Sequence, residues 1–291
     1  MTSPKITVPA IRSMKGTRRI GMITAYDYPS ARVADAAGAD VILVGDSLGM
    51  VILGYPDTLQ VTVDDMLHHT RAAARGAQRA LVVGDMPYLS YHVSIEESVR
   101  NAGSFVRAGA HAVKIEGGKP QRLKTVEAIL DAEIPVMGHI GLTPQSVNAL
   151  GGFKLQGKAA DDARRLVDEA LALEQAGCFS LVLEMVPSEL AAIITERLSI
   201  PTIGIGAGPH CDGQVLVFHD LLGLYDGHTP RFVRQYAHVG ETMQNAIGQY
   251  LADVREGRFP TDAESFHSTS ADELRKLYGE RAGGEVVPLT R

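Results

Sequence analysis

Four carboxylates, a histidine, a lysine and a serine occupy places in this sequence where they could do chemistry together. Asp46 and Ser47 close the run Val41-Ile-Leu-Val-Gly-Asp-Ser-Leu-Gly-Met50, and Asp85 closes Leu81-Val-Val-Gly-Asp85. Glu116 ends Ala112-Val-Lys-Ile-Glu116, Glu184 ends Leu181-Val-Leu-Glu184, and His139 ends Pro135-Val-Met-Gly-His139. Short apolar runs bounded by glycine read as buried strands. In α/β proteins the ligand meets the carboxyl ends of such strands. One acid after one strand means little, but this repetition predicts a single convergent site.

The residue types narrow the chemistry. Alternate side chains of a strand share a face, so Lys114 and Glu116 point the same way while Val113 and Ile115 point into an outer helix layer. An inward Lys and Glu cost too much to bury unless they are paired or used. They read as an internal salt bridge, or as a lysine for a carboxylate substrate beside a glutamate for a metal or a proton. Asp46 and Asp85, on neighbouring strands, read either as carboxylates sharing a proton or as ligands of a hard cation. Mg²⁺ is typically held by one or two carboxylates, with waters and substrate oxygens completing its shell. No His-x-x-x-His or cysteine cluster offers a zinc alternative. Ser47 has no Gly-x-Ser-x-Gly elbow, so it reads as a hydrogen-bond donor to substrate rather than a nucleophile. His139 titrates near neutral pH, and taken alone it reads as a satisfied structural histidine. The adjacent His68 and His69 point to different faces and read as surface or groove residues.

The elements that must position these groups repeat along the chain. A first strand is expected in Arg19–Asp27, followed by a helix Tyr28–Ala37 that Gly38 stops. Helices are expected over Val63–Arg79, from Ser94 (with Glu97 as a capping box) to Gly109, and over Pro120–Ala132, Ala159–Gln175 and Ser188–Leu198. Strands five and seven fall in Ile134–Ile140 and Ile200–Gly208, and Gln214–Phe218 reads as a short eighth. Ala37-Gly-Ala-Asp, Ala108-Gly-Ala-His and Ala176-Gly-Cys-Phe are three echoes of helix end, glycine, then strand. Such repetition favours a closed (β/α)₈ barrel over an open doubly wound sheet. Gly204-Ile-Gly-Ala-Gly208 lacks the following helix and acidic residue of a dinucleotide site, and reads as a turn near a ligand. Two long segments, 49–59 and 141–152, lie on the ligand side, where long loops are often functional. Thr229–Glu256 and Ala271–Leu277 look helical and fall outside the barrel count. The expected organisation is one barrel domain over residues 1–260, then a C-terminal helix and frayed tail over 261–291.

Composition excludes several classes. A net charge of −6 argues against a nucleic-acid partner, which needs a concentrated basic surface. Cys178 and Cys211 give no disulfide framework and suit a reducing compartment. The basic N-terminal stretch lacks the apolar core of a secretion signal, and no apolar run approaches the roughly 20 residues of a membrane span. These features predict a soluble, cytoplasmic protein.

Five blocks taken together resemble the ketopantoate hydroxymethyltransferase family: Thr24-Ala-Tyr-Asp-Tyr28, Val44-Gly-Asp-Ser-Leu-Gly-Met50, Lys114-Ile-Glu-Gly-Gly118, Gly138-His-Ile-Gly-Leu-Thr-Pro-Gln-Ser146, and Gly204-Ile-Gly-Ala-Gly208 with Cys211-Asp-Gly-Gln-Val215. The similarity runs from about Ile6 to Pro260. It implies a barrel of the phosphoenolpyruvate/pyruvate-binding type, assembled as a homo-decamer. It also implies that Asp46 and Asp85 hold Mg²⁺, with Glu116 at the metal partly through water. Asp46, Ser47, Asp85, Lys114 and His139 would bind the 2-oxo acid, and Glu184 would be the catalytic proton acceptor. The implied activity transfers a hydroxymethyl group from 5,10-methylenetetrahydrofolate to 3-methyl-2-oxobutanoate, giving 2-dehydropantoate through a Mg²⁺-stabilised enolate, the first step of pantothenate biosynthesis. An isocitrate-lyase-like enzyme is the rival within the same barrel group, but no reactive cysteine loop follows Glu116. A non-catalytic 2-oxo-acid sensor is the other rival, and nothing resembles an attached output domain.

Overall fold

The structure is a computed structural model that describes residues 4–224 and 229–278. Eight parallel strands close into a barrel in chain order: β1 (Ile20–Thr24), β2 (Val41–Val44), β3 (Leu81–Asp85), β4 (Ala112–Glu116), β5 (Val136–Gly141), β6 (Ser180–Glu184), β7 (Thr202–Ile205) and β8 (Gly213–Leu216). The seam forms where Ile20 pairs with Gly213 and Met22 with Val215.

Period-two alternation sorts the strand residues into two apolar clusters. Ile42, Val44, Val82, Val113, Ile115, Leu181 and Leu183 face outward and are covered by helices. Val41, Leu43, Leu81, Val83, Ala112, Met137, Val182, Ile203 and Val215 face inward. The inward series is apolar below, apart from Ser180 at the start of β6, and carries charge only toward the carboxyl ends. There β3 continues to Asp85, β4 to Lys114 and Glu116, β5 to His139 and β6 to Glu184, with Asp85 in register with Lys114 and Glu116 with His139. The apolar lower layers make a dry floor, and the chemistry sits on top.

That floor has a plug the sequence reading did not contain. A six-residue helix, Val8–Ser13, starts at a Thr7 cap with a proline in its first turn. Ile6, Ile11 and Met14 join the inward-facing cluster at the amino end of the strands. Six residues are too few for helical periodicity to show in a sequence, so the stretch read only as basic. Ile11 is fully buried. Replacing it with alanine is expected to cost about 2–5 kcal/mol of unfolding free energy, measured by urea titration. Turnover of the variant should match wild type, because the catalytic end of the barrel lies opposite.

Other boundaries move by up to three residues, and a few readings change. Ser94 does cap its helix by accepting from the Glu97 N–H at 3.1 Å, which is one half of the box expected there. Complete boxes occur instead at Asp27/Ser30, Thr62/Asp65 and Thr261/Glu264. The long segment after Asp46 contains a short helix, Leu48–Val51. Between β7 and β8 no helix intervenes, although parallel strands normally need a crossover of a dozen or more residues. Gly206 and Gly208 make the tight return possible at φ +63° and +78°, and a Cβ on Gly208 would strike the Ser188 side chain.

Compact units divide at Val239/Gly240. The helix expected over Thr229–Glu256 is confined to Val239–Arg255, because residues 229–238 form turns, with Val233 N–H donating to the Pro230 carbonyl. The second unit also holds a 3₁₀ turn, Asp262–Glu264, and a helix, Ala271–Tyr278. The tail expected to fray over 281–291 lies outside the described residues. Among the described residues no helix is long and apolar enough to cross a membrane.

Candidate active site

A cavity of about 550 Å³ opens at the carboxyl ends of the strands, and every site residue expected from the sequence lines it: Asp46, Ser47, Asp85, Lys114, Glu116, His139 and Glu184. The central cation is Lys114, only 4% exposed. Its Nζ lies 2.8 Å from Asp85 Oδ1, 3.6 Å from Glu116 Oε1 and 3.2 Å from His139 Nδ1. Burial opposes its charge, but Asp85, Glu116 and Asp46 outweigh burial and hold the ammonium protonated. His139 bridges the two glutamates, with Nδ1 3.4 Å from Glu116 Oε1 and Nε2 3.2 Å from Glu184 Oε2. Burial and Lys114 disfavour its protonation, yet the two glutamates prevail and push the imidazole up to about 9. His139 therefore stands between two acids of the cavity rather than in an isolated structural contact, its Nε2 facing Glu184 without a well-directed hydrogen bond.

Glu184 is the most accessible of these carboxylates, with 16% of its side chain exposed toward the cavity. The chain leaves β5 beside it at Gly141, whose φ is +96° and whose added Cβ would strike the Glu184 carbonyl. Ser47 Oγ lies 2.9 Å from the Tyr26 phenol and caps no helix end, so it faces the cavity with one partner already placed. His69 is apart from the site: its Nδ1 meets the Tyr26 carbonyl at 2.6 Å, a half-buried structural contact.

The charge balance suits a divalent cation. Four acids, Asp46, Asp85, Glu116 and Glu184, face Lys114 and His139. Even with both of those protonated, full ionisation leaves two surplus negative charges. The strain shows at Asp46, which burial and then Asp85 and Glu116 push well above the usual carboxylate range. Asp85 is also raised by burial, while Glu116 is held low by Lys114 and His139 despite burial. Asp85 Oδ1 is buried beside Lys114 but takes no well-directed hydrogen bond. As they stand, no three His, Cys, Asp or Glu side chains among the described residues close into a metal cage. Two buried carboxylates at neighbouring strand ends fit Mg²⁺, which keeps waters and needs only one or two carboxylates. Asp46 and Asp85 are the fitting pair. Glu116 commits Oε2 to the Gln145 N–H at 3.1 Å and turns Oε1 to Lys114 and His139, so it fits contact through water.

Three residues that the sequence reading left without a role complete the site's frame. Gln145 bonds to both Asp46 and Glu116, Tyr91 bonds to Gln145, and Arg122 stacks on the Tyr91 ring with 4.3 Å from guanidinium carbon to ring centroid. The signal that pointed toward Gln145 was its place in the long ligand-side loop after β5. The wall of the cavity beyond the acids is mostly apolar, with Met50, Phe153, Met185 and Phe232, and it also carries Asp220 and Arg231.

Comparison with known proteins places this arrangement in context. The barrel is similar to a phosphonopyruvate hydrolase crystal structure with oxalate and Mg²⁺, at TM-score 0.58 and 14% identity over 93% of this chain and 94% of that one. It is also similar to 2,3-dimethylmalate lyase, a member of the PEP mutase/isocitrate lyase superfamily, at TM-score 0.56 and 17% identity over 93% and 94%. At that identity the likeness speaks for the fold. Curated relatives are much nearer. The 3-methyl-2-oxobutanoate hydroxymethyltransferase of Syntrophomonas wolfei subsp. wolfei is 55% identical over 94% of this chain and 99% of its own. The same-named protein of Clostridium botulinum is 54% identical over 94% and 100%. Residues 5–262 match the family described as ketopantoate hydroxymethyltransferase, and the chain belongs to that family.

Proposed function

We propose that this chain transfers a hydroxymethyl group from 5,10-methylenetetrahydrofolate to 3-methyl-2-oxobutanoate, giving 2-dehydropantoate, with Mg²⁺ as its resident cation. The observation that carries the reading is the pairing, in one cavity, of an accessible carboxylate, Glu184, with a buried cluster of acids around Lys114. The mostly apolar wall beyond that cluster leaves room for a second, larger substrate. When bound, the cation supplies Lewis acidity toward the carboxylate and keto oxygens of the 2-oxo acid.

The remaining work falls to the protein. Lys114 offers a fixed positive charge near the carboxylate and the keto oxygen, where negative charge grows as the C3 proton leaves. Ser47, braced by Tyr26, donates a hydrogen bond that fixes the substrate's orientation. Glu184 accepts the C3 proton, with the His139 imidazole 3.2 Å from its carboxylate. The electron pair released from C3 forms the new carbon–carbon bond to the methylene carbon. Both bonds from the methylene carbon to folate nitrogens break, one replaced by the new carbon–carbon bond and one by the hydroxyl oxygen of water, and the C3 proton and a water proton end on the two nitrogens of tetrahydrofolate.

Proton NMR in D₂O tests both halves. With enzyme, Mg²⁺ and 3-methyl-2-oxobutanoate, the C3–H signal should be lost to exchange, and 2-dehydropantoate signals should appear once 5,10-methylenetetrahydrofolate is added. Exchange without product would retain the proton-abstracting site but remove the one-carbon donor from the reading. Absence of both would overturn it.

A cytoplasmic, decameric enzyme is part of the same proposal. In the second unit, the helix Val239–Arg255 presents Met243, Ile247, Tyr250, Leu251 and Val254 at one-face spacing, all exposed. An apolar stripe of that kind supports association between copies. Light scattering should give a mass about ten times the 31.2 kDa of one chain. Changing Ile247 and Leu251 together to Asp should lower that mass.

A further inference from the structure

We infer that Gln145 is the positioning residue that fixes the Asp46 carboxylate for the divalent cation, with Tyr91 locking its amide in the required orientation. The inference rests on the cation-dependent reading given above. Gln145 is only 5% exposed, and each of its side-chain polar atoms is engaged. Nε2 donates to Asp46 Oδ2 at 2.8 Å and to the Met86 carbonyl at 2.9 Å. Oε1 accepts from the Tyr91 hydroxyl at 2.5 Å, and the backbone N–H donates to Glu116 Oε2 at 3.1 Å. One loop residue therefore touches two acids that arrive on different strands.

The orientation of the amide is forced. The Met86 carbonyl can only accept, so it requires the NH₂ end. Tyr91 accepts the Glu116 N–H at its hydroxyl oxygen, 3.2 Å away, which directs its own proton toward Gln145 Oε1. A flipped amide would set one carbonyl against another and against the Asp46 carboxylate. Tyr91 is held from the outside by Arg122, whose guanidinium donates to the Tyr91 carbonyl at 2.7 Å and to the Glu116 carbonyl at 3.0 Å. The chain of contacts thus runs from the helix Pro120–Asp131 through Tyr91 and Gln145 to Asp46. With Oδ2 occupied, Oδ1 is the Asp46 oxygen that no protein donor holds among the described residues. Outer partners of this kind orient metal ligands, and their loss typically weakens metal binding by about 10- to 100-fold.

A purely structural bridge would affect folding and not metal affinity, so the experiment reads both. Mg²⁺ is titrated calorimetrically into metal-stripped, full-length wild type, Gln145→Ala, Tyr91→Phe and the double variant, without substrate. Thermal melting is recorded in EDTA, and kcat is measured against Mg²⁺ concentration. Gln145→Ala is expected to bind Mg²⁺ about 10- to 100-fold more weakly, with kcat recovered at high Mg²⁺. Tyr91→Phe keeps the ring and its packing, and should shift affinity in the same direction by less. The double variant should be no worse than Gln145→Ala, because both changes act along one path. Unchanged Mg²⁺ affinity in both single variants, or a loss of kcat that Mg²⁺ cannot restore, would overturn the inference. Should Gln145→Ala fail to fold, the affinity of Tyr91→Phe decides. A wild type that binds no Mg²⁺ would overturn the cation reading and this inference with it, an outcome distinct from binding that Gln145 does not influence.

Discussion

Glu184→Gln should lower kcat by about 10²- to 10⁴-fold, the usual contribution of a positioned general base, equivalent to roughly 3–5 kcal/mol in the barrier. The substitution preserves size and an oxygen beside His139 Nε2, so the cavity keeps its shape. What it removes is the basic lone pair on the most accessible of the four clustered carboxylates. Because Asp46 and Asp85 are untouched, the Mg²⁺ concentration needed for half-maximal effect should stay within a few-fold of wild type. The same variant should leave the C3–H NMR signal of the 2-oxo acid intact in D₂O over times that erase it with wild type. Full turnover by Glu184→Gln would move the proton acceptor elsewhere, and His139 would then be the next group to test.

Lys114→Met is expected to give the largest loss of stability of any single change in the cavity. Lys114 is the buried cation nearest Asp85 and Glu116, and removing one partner from a buried ion pair costs about 3–5 kcal/mol. Urea unfolding in EDTA measures that cost. The variant carries a built-in check on the cation reading. With the ammonium gone, Asp46 and Asp85 lose their nearest buried cation and depend more on a divalent ion for countercharge. Mg²⁺ should therefore raise the melting temperature of Lys114→Met by more than that of wild type. Equal shifts in the two proteins would mean that the ion does not sit against these acids.

How much of this was legible in the sequence differs from element to element. The two-residue period placed Lys114 and Glu116 inward correctly, because a strand's geometry leaves no other choice once Val113 and Ile115 are outward. Charged groups at strand ends were equally readable, since charge there contradicts burial unless it has a use. Gln145 and Tyr91 escaped because an amide and a phenol in a loop contradict nothing; only their partners reveal them. The barrel plug escaped for want of length, and the turns over 229–238 because polar periodicity imitates a helix. The crossover without a helix between β7 and β8 was legible, because the glycine turn after strand seven leads to the eighth strand with no helical stretch between them. Ser94 shows a smaller limit of the same kind, since a motif names both halves of a box while the folded chain formed one.

The seam of the barrel has a consequence for biosynthesis. β1 leaves the ribosome early, yet its second neighbour, β8, lies roughly 190 residues downstream, which at ordinary elongation rates is a delay of about 10–40 s. Throughout that interval one edge of β1 has no partner strand, and bare strand edges invite pairing between nascent chains. The apolar side chains of Ile6, Ile11 and Met14 wait as well, because the floor they fill is complete only when the ring is. Yield in the cell should thus depend on what shields the first strand during translation, a demand set by topology alone and separate from the stability of the finished barrel.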